Sequence, residues 1–314
     1  MIIKEAGPSD VPEIVEVLKA SLGETDLPLS EKIWNYKHVE NPFGKSIVLI
    51  ALEDKTIIGV RAFMRWEWHK NENKFSCFRA VDTATHPDHQ GKGVFKKLTL
   101  EAVRLAKEEG AAFIFNTPNE KSRPGYLKMG WEIAGKLQVS LSPAFFSFWK
   151  FNKEIPNYEV NYRTNQQNLE HLCARWNSEL KGEKLYTEKS LRYLEWRYEK
   201  NPLQRYEVLV TSNFYLAAYI KKRKGIKELR IVECIYLNDG VDAEIKKSIY
   251  NWCSKFGAQV ISFSPLLKNL KLPSIKGEFG PLSTVRNLNL NEVEKETCFT
   301  IENWKYSLGD LELF

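Results

Sequence analysis

Residues 86–95 read His-Pro-Asp-His-Gln-Gly-Lys-Gly-Val-Phe. Gly91 and Gly93 flank Lys92 in a short basic turn. Such a turn suits a diphosphate, because its backbone N–H groups are free to point inward. A helix beginning there adds about half a positive charge. Hydrogen bonds to a charged acceptor contribute about 1.5–3 kcal/mol each, so several of them would anchor a phosphorylated cofactor. The plainer alternative is an ordinary strand-to-helix turn. No Gly-Lys-Ser/Thr follows, and the third glycine of the dinucleotide fingerprint is missing, so neither of those phosphate loops is present. His86 and His89 are expected to serve the turn. No Cys or carboxylate cluster completes a zinc set around them, and no metal is expected.

The turn needs a strand before it and a helix after it. Ala80-Val81-Asp82-Thr83-Ala84-Thr85 alternates as a strand does, and Val94, Leu98, Ala102, Leu105 and Ala106 share one face of a helix over 94–109. A buried strand at Phe113 to Asn116 comes next. A loop with Asn119 and Glu120 follows, then Tyr126-Leu127-Lys128-Met129-Gly130-Trp131. Phe63 to His69 alternates as a strand. Core packing is its expected use, with a substrate wall as the alternative. The basic run Lys221 to Lys224 lies between two apolar strands and is expected to be a solvated hairpin tip.

Gln90-Gly91-Lys92-Gly93-Val94-Phe95 resembles the acyl-CoA signature of the GNAT acetyltransferase superfamily, Gln/Arg-x-x-Gly-x-Gly/Ala. Phe95 departs from it, standing where the family usually has Gly or Ala. Tyr126 to Trp131 resembles the family string Tyr-x-x-x-Gly-Phe. Asn119 lies upstream, where many members carry an Asn that contacts the cofactor. The resemblance covers residues 1 to about 140. It implies acetyl-CoA bound by Gln90, Gly91, Lys92, Gly93, Val94, Phe95 and Asn119. It also implies that the main chain of Thr83 and Thr85, on a splayed strand, serves the acyl carbonyl and the pantetheine arm, as an oxyanion hole does. Tyr126 would be the acid that protonates the leaving thiolate; a packed aromatic with a satisfied hydroxyl is its alternative. Asp82 is the first candidate for the base, acting through water. Glu120 is a second, and is equally a surface carboxylate.

The chain also repeats itself. Glu31-Lys32, Tyr36, Asn41-Pro42 and Val48-Leu49-Ile50 recur as Glu188-Lys189, Trp196, Tyr198, Asn201-Pro202 and Val208-Leu209-Val210. Each copy opens with a short strand and a helix, Ile2 to Glu5 then Asp10 to Ser21, and Tyr158 to Arg163 then Gln166 to Leu180. Each later has a helix ended by glycine, Gly110 or Gly257, before a buried strand closed by proline. The second copy is shorter over the span of the phosphate turn. Its strand Leu229 to Leu237 runs into Asn238-Asp239-Gly240, which lacks the signature and carries a repelling carboxylate. The expectation is an α/β (mixed α+β sheet) fold with two GNAT-like acyl-CoA N-acyltransferase domains in tandem. Residues 1–145 would hold the acetyl-CoA site. Residues 155–314 would form a degenerate copy shaping the acceptor side. Two unrelated α/β domains are the alternative.

The totals agree with a folded chain of that size. It has 314 residues, 43% apolar and 27% charged, which suits two domains and argues against disorder. Net charge is +6 and spread over both halves, so no nucleic-acid surface is indicated. No apolar run reaches membrane-span length, and the start lacks the apolar core of a signal peptide. Five scattered cysteines suggest reduced thiols in a cytoplasm. The expected activity is acetyl transfer from acetyl-CoA to the primary amine of a small molecule, such as an amino sugar, aminoglycoside or amino acid. The alternatives are a non-catalytic CoA-binding or peptide-recognition protein, and an aminoacyl or longer-chain acyl transferase. Oligomeric state stays open.

Overall fold

The computed structural model describes residues 1–22, 30–182, 184–237, 239–265, 267 and 272–311. Leu29 and Asn238, which belong to the repeat comparison, lie outside the described residues, as does the Asp239 side chain. The first part of the chain forms β1 (Ile2–Glu5), α1 (Val11–Leu22), α2 (Glu31–His38), β2 (Ile47–Glu53), β3 (Thr56–Lys70), β4 (Asn73–Thr85), α3 (Val94–Glu108), β5 (Phe113–Asn116), α4 (Arg123–Lys128) and β6 (Glu132–Lys136). Then come β7 (Val139–Pro143), β8 (Val160–Tyr162), α5 (Gln166–Leu180), β9 (Leu185–Tyr186), α6 (Leu191–Leu194), β10 (Glu207–Val210), β11 (Phe214–Arg223), β12 (Ile226–Tyr236), α7 (Asp242–Phe256) and β13 (Val260–Phe263). The chain closes with β14 (Ile275–Gly277), β15 (Leu282–Asn287), α8 (Glu292–Cys298), β16 (Trp304–Lys305) and α9 (Leu308–Leu311).

Two compact units result, and neither is one continuous stretch. The first is Met1–Gly135 with Leu282–Asn303; the second is Lys136–Pro281 with Trp304–Phe314. In the first, the strands run in the order β1-β2-β3-β4-β5-β15-β6. In the second, read from the matching end, they run β8-β10-β11-β12-β13-β7-β14. Position for position the two orders agree. The strand beside β5 comes from the far end of the chain, with Val285 opposite Phe115. The strand beside β13 comes from before the second copy, with Leu141 opposite Ser262. The boundaries expected at 145 and 155 are therefore corrected. Strand pairing assigns β7 to the second sheet and β15 to the first, which no local pattern encodes.

Local features repeat as well. β3 and β4 slip register between Arg61 and Ala62, leaving Asp82 as an extra residue. β11 and β12 slip between Ala217 and Ala218, leaving Val232 in the same role. Asn41 and Asn201 are buried, and their Oδ1 atoms accept from the N–H groups of Phe43 and Leu203, both at 2.9 Å. Each asparagine so folds the turn over its proline. The outermost pairing differs, since β1 is antiparallel to β2 whereas β8 is parallel to β10.

The first unit's core explains where the turn sits. Val94, Leu98, Ala102 and Ala106 of α3 bury against Leu49, Ala51, Phe63, Phe78 and Ala80. Fully buried side chains of this size contribute about 1.5–3 kcal/mol each. Helix α3 lies close on β3 because residue 59 is glycine, where an added Cβ would stand 2.7 Å from Val94 Cγ1. Met64, Trp66 and Trp68 are buried on one face of that run, and Phe63 is buried on the other, where Arg65, Glu67 and His69 are half-buried. The basic run forms the expected hairpin tip, turning at Lys224 and Gly225 with positive φ. The five cysteines are buried and none forms a disulfide. Among the described residues no helix is long and apolar enough to cross a membrane.

The exchange predicts that a fragment of residues 1–145 lacks a cooperative fold. Without β15, the edges of β5 and β6 lose their partner and fully buried Phe113 and Phe115 lose cover. Thermal and urea melts by circular dichroism should be broad, and a sharp two-state melt of the fragment would refute the exchange.

Candidate functional site

The turn after β4 has the shape its glycines demand. Gly91 and Gly93 adopt φ of +77° and +76°, a left-handed region that other residues enter at a cost. An added Cβ at either would meet nothing within 4 Å, so the turn opens outward. Gly93 caps α3, whose first-turn N–H groups have no partner inside the helix. That turn carries no acidic residue, and Lys96 and Lys97 follow it. Gln90 does not reach outward, because its Nε2 donates to Thr85 O at 3.4 Å and ties the turn to the strand end. Lys92 Nζ lies 3.4 Å from His89 Nδ1, and the same nitrogen lies 3.0 Å from Glu53 Oε2. Those two histidines serve the turn. The backbone of Gly91 to Phe95 therefore forms a basic cradle fit for phosphate groups.

Beside it, β4 separates from β5. Their ladder pairs Phe78 with Ile114 and Arg79 with Phe115, and β4 then continues to Thr85 while β5 stops at Asn116. The main chain of Thr83 and Thr85 lies in this unpaired stretch on the β5 side. On the other side, Thr83 and Thr85 pair with Arg61 and Gly59. The bulge puts Asp82 at φ +37°, an uncommon conformation for a residue with a side chain. Its carboxylate meets Lys37 Nζ at 2.7 Å and His38 Nε2 at 2.8 Å. His38 Nδ1 is 2.8 Å from Ser46 Oγ. Burial works to raise the Asp82 carboxyl, but the Lys37 charge and the His38 bond overcome it and hold it far below the usual carboxylate range. Held this way, Asp82 is an ionised carboxylate whose oxygen is engaged by Lys37 and His38. Burial pushes the His38 imidazole below its ordinary value against the pull of Asp82, so the ring is neutral at neutral pH. Glu120 is exposed on its loop.

Tyr126 is 3% exposed and belongs to the core. Its ring meets Phe95 edge-on at 5.6 Å and Trp131 at 5.1 Å between centroids. Its hydroxyl accepts from Arg61 Nη1 at 2.7 Å. A guanidinium cannot accept, so the Tyr126 O–H hydrogen is not spent on Arg61. Arg61 is fully buried, with Phe63, Tyr126 and Phe95 ring centroids 4.7, 5.2 and 5.8 Å from its Cζ. Its Nε and Nη2 have no hydrogen-bond partner among the described residues. Phe95, the departure from the signature, points its ring at α4. An added Cβ on Gly125 would stand 3.1 Å from that ring. The large side chain therefore packs on α4 and leaves the cradle open. Asn119 is exposed, and its Oδ1 accepts from Ser122 N at 2.9 Å, which shapes the approach to α4.

The second unit lacks this constellation. α7 opens with Asp242 and Glu244 in its first turn, and Gly240 has no positive φ. Negative charge at a helix N-terminus repels phosphate. At its bulge, Val232 stands for Asp82 and Glu233 for Thr83. Glu233 is buried with Lys189 and Asp310, Lys189 Nζ lying 2.8 and 2.7 Å from their carboxylates. Burial raises the Glu233 carboxyl, against the pull of Lys189.

Sequence reasoning missed Arg61, His38, Lys37 and Ser46. Arg61 did leave a signal, a lone cation inside the apolar run Ile57 to Phe63. Such a charge, once buried, must find partners. His38 and Ser46 left none, since only the fold brings them to Asp82. Among the described residues no group of three or more His, Cys, Asp or Glu could hold a metal ion.

Residues 2–134 match the acetyltransferase (GNAT) domain family. No curated protein matches the sequence. Several solved structures share the fold. A conserved protein of unknown function from Enterococcus faecalis, described as a probable N-acyltransferase, is 12% identical with TM-score 0.65, covering 91% of this chain and 72% of its own. A GCN5-related N-acetyltransferase from Anabaena variabilis is 14% identical with TM-score 0.64, covering 92% and 73%. Eis1 from Mycobacterium abscessus is 10% identical with TM-score 0.60, covering 96% and 76%.

The Asp82 pairing carries a pH signature. Its depressed carboxyl contributes stability fully present above the unfolded value, about 3.9, and lost as pH falls through the folded value. Asp82→Asn should lower the unfolding free energy read from urea melts at pH 7, by about 1–3 kcal/mol for this partly exposed pair. The difference from the parent should shrink steadily below about pH 4. A constant difference down to low pH would exclude the ion pair.

Proposed function

We propose, from the match of residues 2–134 to the acetyltransferase (GNAT) domain family, that the chain moves an acetyl group from acetyl-CoA to a primary amine of a small molecule. The observation that carries this is the open left-handed cradle Gly91 to Gly93 at the N-terminus of α3, beside the unpaired end of β4. Gly91, Lys92 and Gly93, with the N–H groups of Val94 and Phe95, hold the diphosphate. Bare glycine backbone lets phosphate oxygens approach closely, and Lys92 adds charge at the rim. Thr83 and Thr85 offer main-chain groups to the pantetheine arm and the acyl carbonyl. Acetyl-CoA supplies the activated acyl group as a thioester.

Transfer then needs a proton delivered to the leaving sulfur. Tyr126 is the acid. Arg61 fixes its oxygen from one side and leaves its hydrogen available on the other. The buried guanidinium also stabilises the negative charge that donation leaves on that oxygen. General acid catalysis of this kind contributes about 10²–10⁴-fold. Asn119 sets the turn that carries α4 and so the tyrosine. The second unit does not bind the cofactor, since α7 presents carboxylates where α3 presents bare backbone. Five buried thiols that form no disulfide suit a reducing cytoplasm.

Titration calorimetry should find one CoA per chain, and two equal sites would contradict the degenerate second unit. Lys92→Glu with Gly93→Asp should abolish CoA binding, and unchanged affinity would remove the cradle. Tyr126→Phe should lower turnover about 10²-fold or more with CoA affinity little changed, and normal turnover would remove Tyr126 as the acid. The overall reading is tested by acetyl-CoA turnover against an amine panel; thioester hydrolysis without any amine product would overturn it.

A further inference from the structure

The acceptor amine must lose a proton, and the acid side alone does not account for it. Asp82, on the strand that leads into the cradle, is an ionised partner of Lys37 and His38. An ionised carboxylate only accepts hydrogen bonds. His38 Nε2, at 2.8 Å from it, therefore carries the ring hydrogen, and Nδ1 is the bare nitrogen. Ser46 Oγ, 2.8 Å from Nδ1, must then donate to it. This order, carboxylate to imidazole to hydroxyl, is the arrangement by which a neutral ring draws a proton from an alcohol.

Exposure assigns the roles. The His38 side chain is 1% exposed and cannot touch an acceptor. Ser46 is only partly buried and stands at the open end of the chain of contacts. The geometry is held at several points. Ser46 N donates to His38 O at 3.0 Å, and the Asn41 turn closes the loop between them with Gly44 N on Asn41 O at 3.0 Å. The Trp34 ring lies 4.1 Å from the imidazole, between centroids. Asp82 adopts its left-handed backbone at the bulge, which aims its carboxylate at α2. Strain of that kind persists where surrounding contacts overdetermine it, often at a working site. In the second unit, valine occupies the bulge position.

We propose that Ser46, His38 and Asp82 form the proton relay that receives the acceptor's proton. This rests on the acetyl-transfer reading. The amine nitrogen bonds to the acyl carbon and releases a proton to Ser46 Oγ. Ser46 passes its own proton to His38 Nδ1. The imidazolium so formed is held by Asp82, with Lys37 keeping that carboxylate ionised. The carbon–sulfur bond breaks, and the sulfur takes the Tyr126 proton. Solvent then reprotonates Tyr126 and takes the proton from His38 back through Ser46. His38 is a positioning and relay residue; Ser46 is the group that meets the acceptor. Lys37 and Asp82 are the charged groups facing the ring.

The test compares the parent with Ser46→Ala, Ser46→Thr and His38→Gln, using acetyl-CoA and two acceptors, an alkylamine and weakly basic hydroxylamine. Ser46→Ala and His38→Gln should lower kcat with the alkylamine about 10²-fold, with KM for acetyl-CoA changed less than about twofold. Ser46→Thr, which keeps a hydroxyl, should recover most of the loss. Hydroxylamine should suffer less, because its nitrogen gives up a proton more easily. In the parent, kcat should fall on the acid side of the ordinary imidazole value, where His38, its proton affinity lowered by burial, becomes charged, and that limb should vanish in His38→Gln. An unchanged kcat and pH profile in both variants would overturn the relay and leave acetyl transfer standing. Loss of acetyl-CoA affinity alongside kcat would make the cluster structural and also overturn the relay. A parent that acetylates no amine would overturn the reading and the relay together.

Discussion

One extra residue in β4 organises the first unit. The slip at Arg61 and Ala62 leaves Asp82 unopposed and turns its side chain toward α2. β4 also runs on past the end of β5, so the main chain at Thr83 and Thr85 has no strand beside it on the β5 side. A regular ladder would bury those groups in pairing and leave no opening between strand and helix. The conformation is costly for a residue with a side chain, and Lys37 and His38 offset that cost through the ions and hydrogen bonds they make. The bulge and the helix α2 therefore stand or fall together.

A second constraint lies on the opposite face of the sheet. Arg61 places a full charge inside an aromatic box, with the Tyr126 hydroxyl as its hydrogen-bond acceptor. Such a charge is costly to bury, and the rings of Phe63, Tyr126 and Phe95 return part of that cost through their π faces. Phe95 thereby acquires a use. At the second helical position it would be too large for a phosphate cradle if its ring faced the turn. Facing α4, it braces the tyrosine and leaves the backbone bare.

The duplication shows what can be lost when a fold is copied. Strand order, bulge and Asn-Pro turn all persist in the second unit. What changed is charge. Carboxylates begin α7, and Glu233 is neutralised in a buried cluster with Lys189 and Asp310. Backbone architecture survives such substitutions because hydrophobic patterning and pairing maintain it. A diphosphate site does not survive them, because it depends on the sign of a few charges at one helix end.

Much of this was legible in the chain itself. Periodicity placed α3, α5 and α7 within a few residues and marked the last six residues of β4, since apolar spacing of 2 or 3.6 follows from strand and helix geometry. Gly91, Gly93 and Gly257 marked left-handed positions because only glycine enters them freely. Tertiary structure decided the rest. The exchange of β7 and β15 is invisible locally, because a strand's pattern states that it pairs but not with which partner. Asp82 lies far in sequence from His38 and Ser46 and meets them only where α2 packs over the bulge. The signature turn was readable because its chemistry resides in consecutive backbone. The proton path was not, because its chemistry resides in side chains that the fold alone brings within 2.8 Å of one another.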